Sequence, residues 1–170
     1  MKYILYFFLL SLTVCSCKQK HKKPTEWYNE TKAEILKESQ LKADSVSNDT
    51  DRGLISKRYY HKGHEFMRKY GKMPPGAEIR YSLDGTFEFR KEICGNGTQG
   101  FEGIVYKGQF YGLSTWWHCN GKLEEQGIRY RDNRIGIWHW YDTIGKEIKT
   151  EDEGRMDLID SLPQIAGRIK

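Results

Sequence analysis

From Glu78 onward, apolar and polar residues alternate in short runs: Ile79, Tyr81 and Leu83, then Phe87 and Phe89, each flanked by polar neighbours. A period of two puts alternate side chains on opposite faces of an extended chain, the signature of half-buried strand. Between the runs stand pairs that tolerate positive φ: Asp84-Gly85, Asn96-Gly97, Lys107-Gly108, Asn120-Gly121, Asp132-Asn133 and Ile144-Gly145. Two-residue hairpins need that conformation, and Gly and Asn supply it at little steric cost. Aromatic and β-branched runs broken by turns at such short, regular intervals predict successive antiparallel strands. They fall at about 78–83, 86–94, 98–106, 109–119, 122–131, 134–142 and 145–151. Large residues occupy both sides of these strands. Ile135, Ile137 and Tyr141 share one face of theirs, and Trp138 and Trp140 share the other. One face is expected to pack on the N-terminal segment or on itself.

The pattern also repeats. A shift of 24 positions carries Gly112 onto Gly136, Trp116 onto Trp140, Trp117 onto Tyr141, and Gly121-Lys122 onto Gly145-Lys146. The same shift carries Gly103, Ile104 and Tyr106 onto Gly127, Ile128 and Tyr130. The motif Gly136-x-Trp138-x-x-Tyr141-x-x-x-Gly145-Lys146 resembles the MORN-repeat variant family of bacterial proteins, best over 103–148. Ser114 stands where the first Trp of the preceding unit belongs, and Ile144 where an Asn is usual. The resemblance implies a mainly β fold, an antiparallel β-meander of hairpin repeats. It also implies an interaction scaffold, in a family often labelled as toxin–antitoxin antitoxins.

The N-terminal third follows other rules. Met1-Lys2 and the apolar run from Tyr3 to Val14 form a segment too short to span a bilayer. It closes on Val14-Cys15-Ser16-Cys17, which looks like a lipobox, so residues 1–16 are read as a lipoprotein signal peptide and Cys17 as the lipidation site. Residues 17–52 read as a polar linker tethered to the membrane. Its basic start, Lys18 to Lys23, suits anionic headgroups. Within it, 25–43 is a candidate helix, with Trp27, Thr31 and Ile35 on one stripe. Ser45 to Gly53 has too little to bury for anything but linker. The repeat domain is placed at 53–154, with Tyr59-Tyr60-His61-Lys62-Gly63 as a degenerate first hairpin. Met73-Pro74-Pro75-Gly76 then interrupts the pattern, and regular sheet starts near Glu78. A tail, 155–170, contains one or two helical turns from Asp157 to Leu162 and is expected to fray.

Composition narrows the chemistry. A net charge of +5, with 28 basic and 23 acidic residues interspersed, is not a nucleic-acid footprint. Cys15 leaves with the signal, which leaves Cys94 and Cys119 as a candidate disulfide in an oxidising envelope. Both stand just before equivalent turns, in strands separated by one other. At about 4.8 Å per strand, that is roughly 9–10 Å between backbones, beyond the reach of a bridge. Strong curling or frayed turns close that gap, so a bridge and two free thiols both remain open. His61, His64, His118 and His139 lack metal-site spacing, and no nucleophile–base set or phosphate loop is recognisable. No cofactor, metal or small-molecule substrate is expected, and no enzymatic activity.

Two functions fit these observations. One is a lipid-anchored protein-binding module of the cell envelope, antitoxin- or immunity-like, on the periplasmic side of the outer membrane if the cell has two membranes. The other is a structural envelope lipoprotein with no neutralising role. In the first case Trp116, Trp138 and Trp140, which alternation places in one row, are the candidate contacts.

Overall fold

The computed structural model describes residues 23–38, 40–51, 54–71 and 76–164. The expected signal segment and Cys17 lie outside them, as do the two prolines of the expected break. The chain opens with helix α1 (Pro24–Glu38) and continues as one antiparallel sheet in strict sequence order. Its strands are β1 (Ser45–Asp51), β2 (Leu54–His61), β3 (His64–Tyr70), β4 (Gly76–Tyr81), β5 (Phe87–Ile93), β6 (Gln99–Tyr106), β7 (Gln109–Trp117), β8 (Leu123–Tyr130), β9 (Asn133–Tyr141) and β10 (Glu147–Asp152). A 3-10 turn, Met156–Ser161, follows. The expected meander is present, and its strands from β4 onward keep their places to within a few residues.

The turns explain the repeat. At one end of the sheet, two-residue hairpins put both central residues at positive φ: Lys62-Gly63 (49°, 79°), Lys107-Gly108 (49°, 81°) and Arg131-Asp132 (51°, 66°). The last lies one residue before the expected Asp132-Asn133. Asp132 is held there because its carboxylate accepts the Phe110 N–H at 2.8 Å. At the other end, longer turns close on Gly97, Gly121 and Gly145, 24 residues apart. Asn96 donates through Nδ2 to the carbonyl of Cys119, and Asn120 to that of Thr143, both at 2.6 Å. Each turn is thereby stapled to the next. Ile144 replaces the Asn where, among the described residues, no further hairpin turn follows.

The sheet begins earlier than expected. Ser45–Asp51, read as linker, is β1, paired with β2 from Ser45↔Tyr60 to Asp51↔Leu54. An edge strand needs a backbone partner more than an apolar face, and a polar, charged edge resists pairing with other chains. The hairpin at 59–63 is real, but its turn belongs to the two-residue class. The helix is shorter than 25–43: it starts at Pro24, whose fixed φ suits a first turn, and by Asp44 the chain is turning into β1, with the Asp44 N–H donating to the Tyr60 carbonyl.

Register assigns the two faces. On one, Phe87, Phe89, Ile104 and Tyr111 meet Trp27, Tyr28 and Ile35 of α1 and Leu162 beyond the 3-10 turn, with Leu113 and Tyr130 alongside. The predicted stripe of Trp27, Thr31 and Ile35 is fully buried there. The tail is docked rather than frayed through residue 163, because the Trp27 indole donates to the Pro163 carbonyl at 2.7 Å. Where α1 lies over β6, Glu102 accepts from Tyr28 and Lys32 at 2.7 and 2.9 Å. Burial raises the Glu102 carboxyl. The hydrogen bonds from Lys32 and Tyr28 and the Lys32 charge outweigh it and hold the group below the usual carboxylate range.

Candidate functional site: the aromatic and arginine face

The opposite face carries the expected tryptophan row. Across β6 to β10 the register lines up Phe101, Trp116, Glu125, Trp140 and Lys149. Trp138 joins the row through a bulge. Gly136 adopts φ +63°, and three residues of β9 (136–138) stand opposite Gly127 alone. The same bulge occurs 24 residues earlier, where Gly112 at φ +72° and two followers oppose Gly103. Ring centroids run Phe101–Trp116 at 4.6 Å, Trp116–Trp138 at 6.1 Å and Trp138–Trp140 at 6.3 Å.

The row is not bare. Trp138 is 0% exposed, so it offers no contact area of its own, contrary to the expectation that all three tryptophans face a partner. Its ring lies on the Gly127 backbone, where a Cβ would fall 2.2 Å from the indole, and its Nε1 donates to the Ile128 carbonyl at 3.2 Å. In the preceding unit the small Ser114 takes this place, buried with its hydroxyl unpartnered. The rings of Phe101 and Phe110 fill the space above Gly103 instead. Trp116 and Trp140 are half-buried.

Cations cover the rings. The Arg129 guanidinium sits 5.1 Å from the centroid of Trp116 and 5.3 Å from that of Trp138. Arg134 lies 4.6 and 5.2 Å from Trp138 and Trp140, and Lys149 lies 4.5 Å from Trp140. Cation–aromatic contacts of this kind contribute about 0.5–1 kcal/mol each where exposed, more where desolvated. Glu125 ties the set together, accepting from Arg134 at 2.6 Å and from the Trp140 indole at 3.1 Å. Lys149 pairs with Glu151.

Arg129 differs from its neighbours. Its Nη1 donates to the Asp132 carbonyl at 2.5 Å, its Nε is buried with no acceptor, and no carboxylate of the described residues pairs with it. Burial, then the like charge of Arg134, pull its guanidinium below the ordinary range. Sequence reading missed these arginines because nothing in their spacing distinguishes them from solvated strand residues.

Cys94 and Cys119 are disulfide-bonded, with Cα atoms 5.7 Å apart. The geometric objection fails for a local reason. Both lie just past paired strand, and β6 begins only at Gln99, so a turn rather than a strand separates them. That turn leans onto its neighbour, with Asn96 and the Thr98 hydroxyl both donating to the Cys119 carbonyl. Gly100 leaves the space beside the bridge clear, since a Cβ there would come within 3.4 Å of the Cys94 Sγ.

His118 and His139 make separate contacts. His118 hydrogen-bonds the Tyr141 carbonyl through Nε2 at 3.0 Å, and His139 pairs with Glu147 at the exposed surface. Among the described residues no group of His, Cys, Asp and Glu has the arrangement of a metal site, and no helix is long and apolar enough to cross a membrane. No protein-family model, no curated protein and no solved structure matches the chain.

Proposed function

We propose that this chain is a cell-envelope lipoprotein, anchored through Cys17, whose MORN-type sheet is a protein-binding module with an antitoxin- or immunity-like role. The observation that carries the reading is the pair Trp116 and Trp140 on the face opposite α1, held rigid by the buried Phe101 and Trp138 and overlaid by three cations. Tryptophan and arginine are the residues most often found at the energetic centres of protein interfaces. They stand here on strands, whose backbone is fixed before a partner arrives. The Cys94–Cys119 bridge suits an oxidising compartment.

Two measurements test this. Metabolic labelling with a fatty-acid analogue should mark the native chain and not Cys17→Ser; label retained by the variant removes the anchor. Affinity capture from envelope extracts should retain a protein with the native chain and lose it with the Trp116→Ala, Trp140→Ala double variant. Equal retention by both, with both folded, removes the module reading and leaves a structural envelope role.

A further inference from the structure

On the face around Trp138, Arg129 makes no ion pair with a carboxylate of the described residues. On β8 to β10 that face presents Arg129, Arg134 and Lys149 against two carboxylates, Glu125 and Glu151, which are committed to Arg134 and Lys149. The nearby Asp132 carboxylate accepts the Phe110 N–H and, like Glu125, acts on Arg129 through space without pairing with it. Arg129 is left with a carbonyl at Nη1 and nothing at Nε. An arginine held against two indoles has already lost part of its hydration. A carboxylate reaching its accessible Nη donors would therefore make a charge-assisted pair at reduced desolvation cost.

No side chain outside the described residues supplies that carboxylate. Residues 1–22, 39, 52–53, 72–75 and 165–170 contain no Asp or Glu. Glu38 ends α1 on the other face of the sheet, and Asp51 lies on β1, seven strands from β8. At about 4.8 Å per strand that separation exceeds 30 Å.

Building on the module reading, we infer that Arg129, braced by Trp116 and Trp138, is the anchor point for an acidic segment of a protein partner. The segment's carboxylate takes the guanidinium, and its neighbouring side chains lie along Trp116 and Trp140. Arg134 does not compete for that carboxylate, because Glu125 holds the Arg134 guanidinium in place. Affinity then falls with ionic strength, since a half-buried charge is only partly screened but its encounter with a charged segment is steered through solvent.

The probe is a fluorescein-labelled hexaglutamate peptide, titrated by anisotropy into the detergent-solubilised full chain at low salt, with hexaglutamine as control. Hexaglutamate is expected to bind, hexaglutamine not to. Arg129→Gln should weaken binding about tenfold or more, the scale of a lost charge-assisted hydrogen bond, while Lys57→Gln, remote on β2, leaves it unchanged. If Arg129→Gln melts below the working temperature, Arg129→Lys replaces it: the cation stays over the rings, the planar fork is lost, and affinity should drop several-fold. Unchanged affinity in the folded Arg129 variant overturns the inference. So does a native chain that ignores hexaglutamate, or that binds phosphatidylglycerol vesicles in its place. A partner captured equally by native and Arg129→Gln chains also overturns it while leaving the module reading standing.

Discussion

The indole of Trp27 rests on Gly112. A Cβ at Gly112 would lie 2.4 Å from Trp27 Cζ3, and the glycine itself is at φ +72°. The helix therefore docks against the sheet where the repeat makes its bulge, and the bulge glycine serves two ends at once.

Gly112→Ala should accordingly destabilise by about 3 kcal/mol, from backbone strain and from displacing Trp27 together. Gly121→Ala is the control. Its φ is +83°, but nothing lies within 4 Å of the new Cβ, so only the left-handed penalty of about 1–2 kcal/mol applies. Denaturant melts followed by tryptophan fluorescence separate the two, and equal costs would mean that the Trp27 contact is not tight.

Trp138→Ala should cost about 3–5 kcal/mol, the range for a large buried aromatic, because it empties the space over Gly127 and leaves Arg129 and Arg134 without their shared ring. Trp140→Ala, half-exposed, should cost less. Thermal melts of both check the order.

Reduction of the Cys94–Cys119 bond, which spans 25 residues of chain, should lower stability by about 2–4 kcal/mol on the loop-entropy scale. Cys119→Ser should reproduce the loss and abolish any further effect of reductant. Melts with and without dithiothreitol decide it.

Glu102 should make folding acid-sensitive. Its carboxyl is held below the usual range, which is near 4, by Lys32 and Tyr28 against the opposing effect of burial. A depressed folded-state pKa contributes stability that is fully present above the unfolded value and is lost as pH falls through the folded one. The melting temperature of the native chain should thus exceed that of Glu102→Gln most above about pH 5. The gap should narrow towards about pH 3; a gap constant with pH would show that the ion pair to α1 contributes nothing.

The amino-acid sequence by itself determined the meander from β4 to β10, because period-two alternation and glycine turns are local properties, written in consecutive residues. It also determined the apolar stripe of Trp27, Thr31 and Ile35, and the face shared by Trp116, Trp138 and Trp140. What only the tertiary structure decided depends on residues far apart in the chain. Ser45–Asp51 became a strand because β2 offered it a backbone partner, which no hydrophobic pattern announces. Cys94 reached Cys119 because a turn leaned over and Gly100 left room. Trp138 was taken out of reach, and Arg129 set opposite Arg134, by a bulge that sets three residues against one glycine. Alternation assigns a side chain to a face; whether that face is covered, and by what, is settled by packing from elements that alternation does not describe.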